Sequence, residues 1–154
     1  MGPVVSTDIA WLAGFFDGEG CISFNSHLVS GRGRRWVLKL VLANTHWPSV
    51  KRAAAMFPGL GCVHARMYRG KKWKPLLLWS VSSVQAELVL SALMPYLVAK
   101  RDEAELALEA VALRRSHRRR QANGQIAGFS DMAVSALTSI EYRLRGLKRV
   151  GYGR

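Results

Sequence analysis

Only two cysteines, Cys21 and Cys62, occur in the 154 residues, and no CxxC pair is present. That excludes a disulfide framework and a thiolate zinc signature. Both cysteines are expected on strands as small core residues. No apolar run approaches the length of a membrane span. The start of the chain lacks a basic leader, which argues against a secretory signal. The expected setting is intracellular, in a bacterial or archaeal cytoplasm or an organelle, with no membrane partner. Acid is scarce beside base, with ten aspartates and glutamates against twenty-three lysines and arginines. Residues 31–74 hold eleven lysines and arginines and no aspartate or glutamate.

The formal net charge is +13, and it is unevenly spread. Residues 1–30 and 75–113 are each net −3, whereas 31–74 are net +11 and 114–154 net +8. A span of that length without an acid predicts a strong positive field on one part of the fold and a polyanion as partner. Its basic residues alternate with strand-like apolar ones and form no basic amphipathic helix, so nucleic acid fits better than an anionic membrane.

Against this background, two early acids stand out. The run Trp11-Leu12-Ala13-Gly14-Phe15-Phe16 is apolar and helical in character, and it ends in Asp17-Gly18-Glu19-Gly20. The C-terminal end of a helix dipole repels carboxylates. Glycine also lowers helix propensity there. Acids kept at an unfavourable place suggest a position needed for divalent metal binding. Ala10, Gly14 and Gly18 fall four apart and form a smooth ridge on one helical face, which permits close backbone approach.

Ser6 or Thr7 is a candidate cap for this first helix, which is expected to reach about Gly18. A strand is expected over 21–29, with Ile22 and Phe24 on one face and Ser23, Asn25 and His27 on the other. After the Gly31-Arg32-Gly33 turn, a second strand should cover Trp36–Ala43, with Trp36, Leu38, Leu40 and Leu42 opposite Arg35, Val37, Lys39 and Val41. A short helix follows over Pro48–Phe57. A third strand is expected over Cys62–Tyr68 and a fourth over Trp73–Val81, where Pro75 implies an edge or a bulge. Helices are expected from Ser82 or Ser83 to Leu93, from Val98 or Lys100 to Arg115, and from Asp131 to Leu147 behind a Ser130 cap. Helix, paired strands, helix, paired strands and grouped helices make an α+β pattern. One domain over 1–154 is expected, with 121–154 a C-terminal helical extension.

At Leu12-Ala13-Gly14-Phe15-Phe16-Asp17-Gly18-Glu19-Gly20 the chain resembles the LAGLIDADG homing endonucleases. The nine-residue signature matches position by position, with aromatic replacements at Phe15 and Phe16. The element order resembles the αββαββα arrangement of that family, an antiparallel saddle-shaped sheet backed by helices. The resemblance implies that the signature helix packs against its twin, with Ala10, Gly14, Asp17 and Gly18 at the interface. One signature per chain implies a homodimer with two-fold symmetry. Such a pair is expected to read a near-palindromic double-stranded DNA site. It would cut both strands there by metal-dependent phosphodiester hydrolysis.

The resemblance assigns roles residue by residue. Glu19 matches the last acid of the signature and is the expected metal carboxylate, with the Gly18 carbonyl as a second ligand. Mg²⁺ suits oxygen ligands completed by water and phosphate, and Mn²⁺ is expected to substitute. Asp17 lies two residues from Glu19, which turns it away, and is read as a capping or interface residue. Lys100 resembles the basic residue of the family's active site, with Arg101 as the alternative. Asn44 is either an amide beside the catalytic water or the head of an Asx-turn before Pro48.

Strand parity supplies the DNA-reading set. Ser23, Asn25 and His27 form one row, and Arg35 and Lys39 a second, with Val37 and Val41 available to thymine methyl groups. His64, Arg66 and Tyr68 form a third row, and Lys72 and Lys74 a fourth. Arg32, Arg34, Arg69 and Lys71 are placed in turns, where phosphate contact is expected. The Arg114–Arg120 cluster either grips the backbone outside the strands or is a solvated helix end, and 121–129 reads as a loop.

Two rivals remain at this stage. One is a binding module on the same fold, either an intron RNA maturase or a DNA-binding regulator that does not cut. The other is a basic dimer that coats nucleic acid with little discrimination, which leaves the helix-end acids unexplained.

Overall fold

The computed structural model of the chain describes residues 6–68, 72–117 and 128–150. The order is α1 (Ser6–Glu19), β1 (Gly20–Val29), β2 (Gly33–Asn44), α2 (Trp47–Ala55), β3 (Cys62–Arg66), β4 (Leu76–Ser82), α3 (Ser83–Leu93), α4 (Arg101–Ser116) and α5 (Asp131–Val150). A single 3₁₀ turn over Met94–Tyr96 contains Pro95 and separates α3 from α4. The four strands form one antiparallel sheet in the order β1-β2-β4-β3. This is the α+β saddle architecture, with helices on one face.

Alternation along the central strands decides which face is covered. Ile22 and Phe24 of β1, and Trp36, Leu38, Leu40 and Leu42 of β2, are buried beneath the helices. The opposite parity, Ser23, Asn25, Val37 and Lys39, lies on the open face. From the helices come Leu12, Ala13 and Phe16 of α1, Leu90 and Leu93 of α3, Ala107 and Val111 of α4, and Leu137 and Leu144 of α5. Side chains of this size each contribute roughly 1.5–3 kcal/mol on full burial, so the covered face carries the stability. The open face is free for another use.

Several expected boundaries move. Ser6 and Thr7 are both already helical, so neither caps α1. The fourth strand begins at Leu76, not at Trp73, and Pro75 precedes it. β4 lies between β2 and β3, where a proline would remove a ladder hydrogen bond. Lys72 and Lys74 are therefore not strand residues, and Tyr68 lies beyond the end of β3. Arg34 belongs to β2, opposite Leu28, and not to the turn. The cysteines are also reassigned: Cys21 and Cys62 are on strands but exposed, because their parity puts them on the open face. The Ser130 cap is present, with the Ala133 N–H donating to its Oγ at 3.3 Å. Arg69, Lys71 and residues 118–127 lie outside the described residues.

Candidate functional site

Helix α1 runs straight into β1 with no loop. Glu19 is its last residue, and Gly20 already pairs with Leu42. Glycine is required at this junction. A Cβ on Gly20 would stand 2.5 Å from the Phe16 ring and from its carbonyl oxygen. The abrupt handover leaves Glu19 exposed at the end of the open sheet face, with no ion pair or side-chain hydrogen bond among the described residues.

Asp17 and Lys100 interlock beneath it. The Asp17 carboxylate accepts the backbone N–H groups of Val98, at 2.7 Å, and Lys100, at 2.9 Å. The Lys100 ammonium donates to the Asp17 carbonyl oxygen. That carbonyl belongs to the last turn of α1, where helix geometry leaves oxygens without intrahelical partners. Asp17 is thus a cap for the segment that opens α4, and Lys100 is brought to the same helix end as Glu19. Arg101 points elsewhere, to the carbonyls of Leu97 and Pro95. Of the two basic residues, Lys100 is the one bonded to the end of α1.

Glu103, one turn further along α4, is part of the same corner. Burial pushes its carboxyl above the ordinary value of 4.5, while the ammonium groups of Lys148 and Lys100 oppose that rise. Among the described residues no cluster of three or more His, Cys, Asp or Glu side chains forms a closed metal cage. The donors at this corner fit a different type of cation. One exposed carboxylate and a helix-end carbonyl are hard oxygen ligands, and they leave most coordination positions to water and phosphate, as Mg²⁺ prefers.

Asn44 takes a structural part. It pairs with Leu77 on the helix-facing register, and its Oδ1 accepts the His46 N–H at 2.7 Å. This is an Asx-turn leading into α2. Only its amide NH₂ remains for any other partner.

The open face can be read row by row from the strand register. His27 stands opposite Arg35, and Asn25 opposite Val37. Ser23 stands opposite Lys39, which in turn faces Ser82. Cys21, Val41, Ser80 and Cys62 form a row across all four strands. His64 lies opposite Leu78, and Arg66 opposite Leu76. None of these residues is acidic, so the face combines positive charge with hydrogen-bonding side chains. Arg35 leans over the Phe129 ring, 6.0 Å from its centroid. Arg34 turns to the other side and donates to Ser26 Oγ at 2.8 Å. Beyond β3, Tyr68 meets Trp73 edge to face at 5.2 Å. Lys72 and Lys74 are exposed beside that pair, as is Arg32 in the β1–β2 turn.

The ridge on α1 is open. Gly14 and Gly18 are exposed, Ala10 is half-buried, and a Cβ at either glycine would meet nothing within 4 Å of the protomer. Its flank is braced by Trp11, which stacks on Phe15 at 5.5 Å and lies 4.4 Å beneath the Arg52 guanidinium. Arg52 also pairs with Asp8 at 3.0 Å.

Sequence reasoning passed over Lys148. Its Nζ lies 3.3 Å from Cys21 Sγ. Nothing local signals that contact, since the residues are 127 positions apart.

No protein-family model matches the chain, and no curated protein does. Solved structures do. The homing endonuclease I-CvuI, in complex with the I-CreI target and Mg, aligns at 19% identity with a TM-score of 0.67, over 92% of this chain and 82% of that one. The homing endonuclease I-TnaI aligns at 15% identity and a TM-score of 0.67, over 96% of each chain. The LAGLIDADG homing endonuclease I-GzeII, in complex with its DNA target, aligns at 14% identity and a TM-score of 0.65. That match covers 86% of this chain but only 43% of I-GzeII. At these identities the likeness establishes a shared fold.

Proposed function

We propose that the protein is a site-specific endonuclease that cuts both strands of a long, near-palindromic DNA site as a homodimer. The observation that carries this reading is that an exposed carboxylate, Glu19, and the Lys100 ammonium are brought to one helix end, which runs directly into the acid-free sheet. A binding module has no use for a carboxylate there, because it repels phosphate. The fold shared with DNA-bound homing endonucleases supports the same reading.

The open ridge of Ala10, Gly14 and Gly18 supports pairing of two copies through α1. Each protomer then offers its strands to one half-site. Asn25 and Arg35 are suited to adenine and guanine edges respectively. Ser23, His27, Lys39, His64 and Arg66 complete the reading rows. In this reading Arg32, Lys72 and Lys74 contact phosphates, and Arg69 and Tyr68 are assigned to DNA contact with them.

Glu19 and the Gly18 carbonyl would hold Mg²⁺, or Mn²⁺ in its place, which when bound supplies Lewis-acid stabilisation and an activated water. The chain's own groups do the positioning. Asp17 fixes the segment that carries Lys100, and Lys100 balances the charge that builds on the phosphate as water adds and the strand departs. The free NH₂ of Asn44 is available to orient that water.

A cleavage selection on a randomised long duplex library, with Mg²⁺ and with a chelator, tests this. Metal-dependent double-strand cutting at one near-palindromic sequence is expected. Sequence-selective capture without cutting would transfer support to the maturase or regulator reading, and uniform weak binding to the coating reading.

A further inference from the structure

Helix α5 braces the fold. It packs on α4 and β1, and Leu137, Ile140 and Leu144 are buried. Its rotation is fixed by a buried acid. Glu141, only 6% exposed, accepts the Trp36 Nε1–H at 3.1 Å and a bond from Arg145 at 2.6 Å. Residues 141, 144 and 148 follow helical spacing and share one face. The latch that buries Glu141 and Leu144 therefore also aims Lys148 inward, one turn further on.

Lys148 arrives at the edge strand β1, with its ammonium 3.3 Å from Cys21 Sγ. Cys21 is two residues past Glu19 and stands on the open face opposite Val41. Lys148 forms no ion pair among the described residues. A thiol is a poor acceptor for an ammonium group, and a phosphate oxygen is a far better one. Glu103 feels both Lys148 and Lys100, which places the two lysines around one corner.

We infer that Lys148 grips a DNA backbone phosphate beside the Glu19–Lys100 corner, so that α5 belongs to the substrate-binding surface. This rests on the nucleic-acid reading above. Resting on Cys21 when DNA is absent, the ammonium is held in place by a partner it readily exchanges.

The test compares wild type, Lys148→Met and Lys148→Arg on the selected duplex. Met retains the apolar stem, and Arg retains the charge. In a dimer Lys148→Met is expected to lower the slope of log K against log salt by about 1.8, at about 0.9 per phosphate. Lys148→Arg should restore the slope, and Arg143→Gln, on the same helix, should leave it unchanged. Methylphosphonate substitution at single phosphates near the cut provides a readout independent of protein stability. One position should weaken wild-type binding and have no effect on Lys148→Met. An unchanged slope, or no phosphate whose effect disappears in Lys148→Met, overturns the inference. Duplex binding without cleavage removes the endonuclease reading while the slope and phosphate comparisons still decide Lys148. Failure to bind any duplex DNA removes both.

Discussion

Asp17 and Lys100 are joined in both directions: the Asp17 carboxylate accepts the Lys100 backbone N–H at 2.9 Å, and the Lys100 ammonium donates to the Asp17 carbonyl. The second carboxylate oxygen holds the Val98 N–H at 2.7 Å. The end of α1 and the start of α4 are thereby fixed to each other. A carboxylate in such a place stabilises through hydrogen bonds to charge, worth roughly 1.5–3 kcal/mol. Asp17→Ala should therefore lower unfolding free energy by about 2–3 kcal/mol. It should also slow cleavage, because Lys100 loses its register. Asp17→Asn keeps one acceptor and should fall between the two in urea unfolding and in single-turnover rate. Equal stability of Asp17→Ala and wild type would remove the cap from this account.

Glu19 behaves in the opposite way. Among the described residues it has no ion-pair or side-chain hydrogen-bond partner to lose, and it sits at the unfavourable end of the α1 dipole. Glu19→Gln should leave stability unchanged or raise it by about 0.3–1 kcal/mol. Cleavage should fall by about a thousandfold or more, since loss of a metal carboxylate removes several kcal/mol and each 1.36 kcal/mol is tenfold in rate. Binding of the site should persist or tighten, as a negative charge near phosphate is gone. A variant that still cuts at the wild-type rate would exclude Glu19 from the chemistry.

The parts of this corner were not equally legible in the sequence. The β1 and β2 faces followed from strict alternation, because Ile22, Phe24 and the Trp36–Leu42 row are buried by one layer of helices. Asp17 and Glu19 were legible because a helix end rarely keeps two acids. The cysteines were misplaced because residue type suggested burial while parity demanded exposure, and parity won. The β4 start differs because Trp73 looks strand-like on one side of a turn, yet a central strand has no room for Pro75. Lys148 was beyond reach. Its place depends on Glu141 finding Trp36 across 105 residues, and no local pattern encodes that pairing.

Gly14 tests the pairing of two copies without touching the chemistry. Its added Cβ meets nothing in the protomer, and glycine in a helix interior costs about 1 kcal/mol relative to alanine. Gly14→Leu should therefore leave the isolated protomer as stable as wild type or more so. In a dimer packed through the Ala10–Gly14–Gly18 ridge, the same side chain meets the partner's backbone. Sedimentation should show the dimer weakened by at least tenfold, or about 1.4 kcal/mol. A variant that dimerises normally would move the interface off this ridge.

Glu103 carries the pH dependence of the corner. Burial raises its carboxyl above 4.5, and the attraction of Lys148 and Lys100 does not cancel that rise. The folded state then binds the proton more tightly than the unfolded chain does. Stability from this group is present below the ordinary carboxylate range and is lost as pH rises through the raised value. Glu103→Gln keeps the shape and removes the ionisation. Its stability relative to wild type should increase between about pH 4 and neutrality, by no more than about 1 kcal/mol because solvent screens a partly exposed group. Urea unfolding at several pH values reads this difference directly, and parallel curves for the two proteins would show that Glu103 ionises without cost. Lys148→Met should steepen the wild-type loss, because it removes one of the two charges that oppose the effect of burial.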